Sequence, residues 1–156
     1  MQSLAWQLMS EQDYDDYIQQ RGIKQMHYLS HYVEQKQTEL FTATGAFFAF
    51  SNEQFAEQKQ DNIEYASCGA GLIAPKDKAL DLIKGLRNIH IEGIAADIAE
   101  NGKAAIIQRE LGNHEAQITG DISGTIDALE GYGITADEVQ AGYSIFYKAC
   151  IDNDWF

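Results

Sequence analysis

The stretch IEYASCGAGLIAP, residues 63–75, decides the fold of this 156-residue chain. Two short runs, 63–66 and 72–74, flank the CGAG sequence at 68–71, whose glycines are typical of a turn between strands. We therefore predict two short strands joined by this turn. Pro75 has the fixed φ angle that suits the first turn of a helix, so a helix is expected to begin there.

A third short run, Ala46–Phe50, is aromatic, and aromatic residues favour strands. It can join the other two strands in a small antiparallel sheet. The length of the chain and its 45% of hydrophobic residues fit one domain with a packed core. We therefore predict an α+β fold, a mostly helical single domain over residues 1–156 with a small antiparallel sheet. An all-α fold is the alternative, because the three strands are short.

Helices are predicted for the rest of the chain from apolar periodicity and from capping residues. The capping boxes of Ser51 with Gln54 and of Thr135 with Glu138 mark two helix starts. Gly102 is expected to end a helix, because glycine favours the left-handed conformation found there. The predicted helices cover about 10–20, 23–42, 51–61, 75–88, 89–100, 103–114, 122–132 and 135–151.

Two of these helices carry further positional signals. In the helix over 75–88, Leu80, Ile83 and Leu86 recur at helical spacing, which predicts that their side of the helix faces the core. Gly133 is expected to stop the helix that precedes it, for the same conformational reason as Gly102. These signals predict the buried face of one helix and the end of another.

The chain is strongly acidic, with 24 acidic residues against 11 lysines and arginines and a formal net charge of −13. Charge of this sign repels nucleic-acid backbones and anionic membranes. Attraction to a basic surface is favoured, including the groove of a protein that itself binds nucleic acid. Residues 88–156 hold twelve acids and three bases, so this part is the expected partner face. The alternative is that these carboxylates only solvate exposed helices.

No apolar run approaches the roughly 20 residues that span a bilayer. Met1–Ser10 lacks the basic start and the long apolar stretch of a signal peptide, so we expect the chain to stay in the cytoplasm of the cell that makes it. The two cysteines, Cys68 and Cys150, are far apart in sequence and are expected to be thiols in a reducing compartment. A regulatory disulfide or a nucleophilic role stays open.

Several short motifs recur together across the chain. They are GAFFAFSN at 45–52, GAG at 69–71 with PK at 75–76, REL at 109–111, NHEA at 113–116, TGDI at 119–122 and YGIT at 132–135. Together they resemble a family of small uncharacterised domains found on bacterial phages and mobile elements. The resemblance spans Gly45–Tyr143 and brings no established activity with it. It implies a gene that travels with phages or plasmids.

The charge and the resemblance together favour a binding protein over an enzyme. We expect a non-catalytic acidic inhibitor, of anti-CRISPR or anti-restriction type, that occupies the basic channel of a host defence nuclease. Its carboxylates would stand where nucleic-acid phosphates otherwise bind, and no cofactor or metal is expected. The expected partner-binding residues are Glu110, Glu115, Asp121, Asp127, Glu130, Asp137 and Glu138.

The alternative is a small enzyme, or a ligand- or metal-binding domain, that uses His114, Glu115 and Cys68. Glu110 and His114 are four residues apart and share one helix face, which suits acid–base chemistry or a metal site. A structural interpretation explains the same residue types: His114 closes one helix and Asp121 caps the next.

A second histidine pair lies near the start of the chain. His27 and His31 are four apart, and Glu34 follows on nearly the same helix face, so together they can hold zinc or another transition metal. The HExxH pattern is absent because Tyr28 takes the glutamate position, and solvent-facing histidines fit equally well. A third interpretation of the function is an accessory protein that self-associates through its aromatic helices. The oligomeric state stays open.

Overall fold

The computed structural model describes residues 26–156. The helix predicted over 10–20, and the start of the helix predicted at Ile23, lie outside these residues. The described chain is mostly helical with a small three-stranded antiparallel sheet, so the predicted α+β fold is confirmed and the all-α alternative is wrong. Residues 27–97 form one compact unit, and residues 98–156 belong to a second one, to which Met26 is also assigned.

Six helices and three strands make up the described chain. In order, they are α1 Leu29–Thr44, β1 Phe47–Phe48, α2 Asn52–Gln58, β2 Tyr65–Gly69, β3 Leu72–Pro75, α3 Ala79–Asn113, α4 Ala116–Thr119, α5 Ser123–Leu129 and α6 Ala136–Asn153. A 3-10 turn, Glu130–Tyr132, follows α5 directly. Within α3, Gly102 has φ 78° and ψ 151°, so the helical backbone is interrupted where the sequence predicted a stop.

The sheet has the order β1-β3-β2, and both pairs of neighbours are antiparallel. Its centre is β3, whose Ile73 lies opposite Phe47 of β1 and opposite Ser67 of β2. The turn between β2 and β3 contains Ala70 and Gly71, both with positive φ angles. The stretch quoted at 63–75 therefore forms the hairpin that was predicted.

Pro75 does not begin a helix, which corrects the prediction. It is the last residue of β3, where it lies opposite Tyr65, and α3 starts four residues later at Ala79. The Pro75 carbonyl oxygen accepts a hydrogen bond from the Lys78 amide at 2.8 Å, which closes a turn between the strand and the helix. Proline is tolerated at this strand end because a ladder bond from its own nitrogen is not needed there.

The core of the unit 27–97 lies between the sheet, α1 and the first part of α3. Leu72, Ala74 and Leu82 are buried together. Of the three residues predicted to face the core, Leu86 packs against it, whereas Leu80 and Ile83 are 61% and 50% exposed, so the prediction is wrong for those two. The helix is instead rotated so that Leu82 faces inward.

Two glycines of α3 explain this rotation. A Cβ built on Gly85 would lie 2.7 Å from Cδ2 of Leu40, and one built on Gly93 would collide with Cγ1 of Val33. The absence of side chains at these positions lets α1 approach the backbone of α3 closely. The face that carries Gly85 and Gly93 is therefore the one that packs, and Leu82 shares it.

The core of the unit 98–156 is formed by the second part of α3 and by α5 and α6. Its fully buried side chains include Ile106, Ile107, Leu111, Leu129 and Val139. Both α4 and α5 contact α6, and the buried side chains lie among these elements. This unit carries every acidic residue predicted to bind a partner.

Candidate partner-binding surface

The predicted partner-binding carboxylates lie on successive elements of the unit 98–156. Glu110 is in the last turn of α3, Glu115 precedes α4, Asp121 precedes α5, Asp127 is on α5, Glu130 is in the 3-10 turn, and Asp137 and Glu138 are in the first turn of α6. Five of them, at 115, 121, 127, 130 and 137, are exposed, and the other two are half-buried. The structure therefore presents most of this set to solvent.

Glu110 differs from the other six carboxylates because it is paired. Its Oε1 lies 3.3 Å from Nε of Arg109 and its Oε2 lies 3.8 Å from Nε2 of His114. The Arg109 side chain is only 4% exposed. The positive guanidinium offsets the charge of Glu110 locally, so Glu110 holds the end of α3 together and contributes least to attracting a partner.

The remaining six carboxylates, at 115, 121, 127, 130, 137 and 138, are called the acidic set. Within residues 26–156, none of them forms an ion pair. The unit 98–156 has ten acids and three bases, a net charge of −7, and Arg109 is one of those bases and is buried. Within the described residues, the negative charge of the acidic set is thus not offset by an ion pair, although Nζ of Lys103 lies 3.5 Å from the Gly133 carbonyl oxygen, near Glu130 in the chain.

Asp121 is held in one orientation by the residue that begins α5. Its Oδ1 accepts hydrogen bonds from Oγ of Ser123 at 2.6 Å and from the Ser123 amide at 2.9 Å. The bond from the Ser123 hydroxyl, and then the bond from its amide, lower the pKa of Asp121 below its ordinary value. The carboxylate is therefore charged at neutral pH. It closes a turn before α5, whereas the predicted cap position is held by Ile122, which makes no side-chain capping bond.

Glu115 has an uncommon backbone conformation. It lies between α3 and α4 with φ 51° and ψ 38°, the left-handed region that side chains other than glycine, asparagine and aspartate rarely adopt. Its carbonyl oxygen accepts the amides of Ile118 and Thr119, so the conformation forms the first turn of α4. The side chain is exposed, and nothing in its sequence neighbourhood predicted this conformation.

His114 lies at the junction of α3 and α5. A Cβ built on Gly124 would lie 2.9 Å from Nδ1 of His114, so the imidazole rests on the glycine. Its Nε2 faces Glu110 across 3.8 Å. The structure thus brings Glu110 and His114 together as the spacing predicted. These contacts also fit the structural interpretation in which His114 closes α3.

Cys68, the third residue of the enzyme hypothesis, belongs to the unit 27–97. It lies in β2, half-buried, and packs against the apolar core formed by Leu72, Ala74 and Leu82. His114 and Glu115 belong to the unit 98–156. The described contacts of Cys68 are those of a small apolar side chain, and none of them supplies a base that would activate its thiol.

The metal-binding interpretation of His27 and His31, which the sequence left open, meets an unsuitable geometry. The two imidazole rings stack with centroids 3.6 Å apart and planes 9° from parallel. Nitrogen lone pairs lie in the ring plane, so parallel rings do not direct them at one ion. Over residues 26–156, no group of three or more His, Cys, Asp or Glu side chains is placed to hold a metal ion.

The fold and this surface define an acidic, mostly helical α+β protein. The chain belongs to DUF7659, a family of unknown function, whose pattern matches residues 29–149. No curated protein and no solved structure matches the chain. The family match contains the whole of Gly45–Tyr143, so the predicted resemblance to an uncharacterised domain family is confirmed. In the described part of the chain, no helix has the length and apolar character needed to cross a membrane.

Proposed function

We propose that this protein is a non-catalytic acidic inhibitor, encoded by a phage or mobile element, that binds the basic nucleic-acid channel of a host defence nuclease. The observation that carries the proposal is the acidic set, six carboxylates without an ion pair in a unit of net charge −7. CRISPR effectors and restriction enzymes both hold nucleic acid in positively charged channels, which is the surface such a set complements.

The absence of ion pairs matters energetically. A carboxylate that is already paired must lose its partner before it binds another cation, which cancels much of the gain. Within residues 26–156 the acidic set has no such pairs to break, so no ion pair is lost when it meets a basic channel. Its attraction to the channel acts over roughly 10 Å at 0.1 M salt and speeds association.

One member of the acidic set is held in place before any partner arrives. The Asp121 carboxylate accepts two hydrogen bonds from Ser123, whereas for Glu115 it is the backbone that is fixed, at the start of α4. Groups that are already ordered lose less conformational entropy on binding. This order supports a role in recognition that a disordered acidic tail would fill less well.

The test measures DNA binding by purified CRISPR effectors and restriction enzymes as this protein is added, at low and at high salt. Inhibition of at least one enzyme is expected, and it should weaken as salt rises. A variant that combines Asp127→Asn, Glu130→Gln and Asp137→Asn should inhibit about tenfold to hundredfold less well, since each exposed pair contributes up to roughly 1 kcal/mol.

The matched control removes the same charge from the other unit. Glu57→Gln, Asp61→Asn and Asp77→Asn are three exposed positions of the unit 27–97, and their combination should inhibit like the wild type. Equal losses in both triple variants would show an effect of total charge and contradict the proposal. Full inhibition by the first variant would contradict it as well.

The enzyme or ligand-binding alternative rests on the approach of His114 to Glu110 at 3.8 Å. The inhibitor proposal expects His114→Ala to inhibit like the wild type, because the imidazole rests on Gly124 and is not one of the charges presented to a partner. Loss of inhibition in a correctly folded His114→Ala protein would favour the alternative instead.

A further inference from the structure

Aromatic side chains form a stripe along α6 in which Tyr143 is half-buried and Tyr147 is exposed. Tyr143 and Tyr147 are four residues apart, so they lie on one face of the helix, and their rings are 5.9 Å apart. Ile151 continues the same face by one more turn and is exposed. Apolar and aromatic groups of this size are normally covered, so an uncovered row of them marks a contact surface.

The end of α6 extends this stripe with the ring of Phe156, and the exposed Trp155 is its neighbour in the sequence. Asp154 has φ 54°, and the amide of Trp155 donates to the Cys150 carbonyl oxygen at 3.0 Å, which is the Schellman pattern that turns a chain back at a helix end. Phe156 consequently lies against Tyr147, with ring centroids 6.1 Å apart and planes at 81°. The exposed fractions are 40% for Tyr147, 42% for Trp155 and 62% for Phe156.

Tyr143, Tyr147, Trp155 and Phe156 are called the α6 aromatic surface. Asp152 and Asp154 are exposed beside it in the sequence, and the whole unit is negative. Aromatic faces with nearby carboxylates suit one cation above others: a planar guanidinium stacks on a ring and still donates hydrogen bonds at its edge. An ammonium group is more strongly hydrated and does not stack.

We infer that the α6 aromatic surface binds arginine side chains of the partner. This inference rests on the proposed function and specifies it, because arginine is a principal phosphate-binding residue of nucleic-acid channels. The acidic set supplies attraction to any basic surface. The α6 aromatic surface adds a preference for arginine over lysine, which charge alone does not give.

The test uses two nine-residue peptides, one of arginine only and one of lysine only, as probes of the full chain. The chain has two tryptophans, so Trp6→Phe leaves Trp155 as the only tryptophan and as the fluorescent reporter. The arginine peptide should change Trp155 fluorescence and bind about tenfold more tightly than the lysine peptide, as two cation–π contacts imply.

The discriminating variant combines Tyr147→Leu with Phe156→Leu, which keeps the surface apolar and removes two rings. Both side chains are exposed, so the fold should persist, as circular dichroism would verify. The variant should show a clearly smaller preference for the arginine peptide, although Tyr143 and Trp155 keep their rings. Glu57→Gln with Asp61→Asn, in the other unit, is the control and should retain the arginine preference.

Equal binding of the two peptides by the Trp6→Phe protein would overturn the arginine inference. An unchanged arginine preference in the variant with Tyr147→Leu and Phe156→Leu would overturn it as well. Neither outcome touches the proposed function, which is judged by nuclease inhibition in the Asp127, Glu130 and Asp137 variant. If that variant inhibits normally, the proposed function fails even where arginine is preferred.

Discussion

Gly142 of α6 packs so closely on Ile107 of α3 that a Cβ atom at position 142 would lie 2.5 Å from Cγ2 of Ile107. Both residues are buried, and Nε2 of Gln108 donates to the Gly142 carbonyl oxygen at 2.9 Å. At this point the backbone of α6 therefore lies directly against a side chain of α3. The contact positions α6, which carries both the α6 aromatic surface and part of the acidic set.

Gly142→Ala should lower the free energy of unfolding by about 1–2 kcal/mol. Overpacking costs about 1–3 kcal/mol in a rigid core, and the better helix propensity of alanine returns up to about 1 kcal/mol. Urea denaturation measures the difference. Ile107→Leu lacks the Cγ2 methyl group, so Gly142→Ala should cost less when it is made in that background. Equal costs in both backgrounds would contradict the contact.

Glu115→Gly should raise the free energy of unfolding by about 1 kcal/mol. The left-handed conformation at this position strains a residue with a side chain and does not strain glycine. Glu115→Gln is the control, because it removes the charge and keeps the strain. Thermal denaturation of the three proteins separates the two effects, and a stability gain in Glu115→Gln equal to that in Glu115→Gly would assign the gain to charge.

Ser123→Ala should raise the pKa of Asp121 toward its ordinary value of 3.8, because the larger of the two hydrogen-bond contributions is lost. The unfolded chain binds the proton more readily than the folded one. The stabilisation is therefore present above the unfolded pKa and is lost as pH falls through the folded pKa. NMR titration of the Asp121 carboxyl carbon measures this directly, and an unchanged midpoint in Ser123→Ala would refute it.

Leu82→Ala and Ile83→Ala form a matched pair of neighbours in α3. Leu82 is fully buried and Ile83 is half exposed. Leu82→Ala should lower the free energy of unfolding by about 2–5 kcal/mol through the cavity that it leaves. Ile83→Ala should change it by no more than about 0.5 kcal/mol, as surface substitutions usually do. The reverse order would mean that α3 is rotated as its apolar spacing suggested.

Features that depend on neighbours within three or four residues were predictable from the sequence. Oγ of Ser51 accepts the Gln54 amide at 3.1 Å, as the capping box predicted, and the Gln54 side chain accepts the Phe50 amide. Gly133 has a positive φ angle directly after the 3-10 turn, where a stop was expected. These contacts form inside one stretch of chain, so the residue types alone predict them.

Part of the candidate partner-binding surface was also predictable from the residue types alone. Charge is additive along a sequence, so the acidic character of residues 88–156 was visible at once. The sequence did not predict which carboxylates are paired and which are not, because the pairing of Glu110 with buried Arg109 depends on how α3 packs. The position of the Phe156 ring against Tyr147 follows the left-handed turn at Asp154, a conformation that aspartate allows but does not require.

The sequence by itself determined where most helices and strands lie, because hydrogen bonds within a turn and glycine conformations are local. Only the tertiary structure decided which face of α3 is buried. Apolar spacing favoured Leu80 and Ile83, whereas close packing of Leu40 on Gly85 selected the neighbouring face. Burial depends on which distant side chain fits against a helix, and steric fit between residues 45 positions apart does not show in either segment alone.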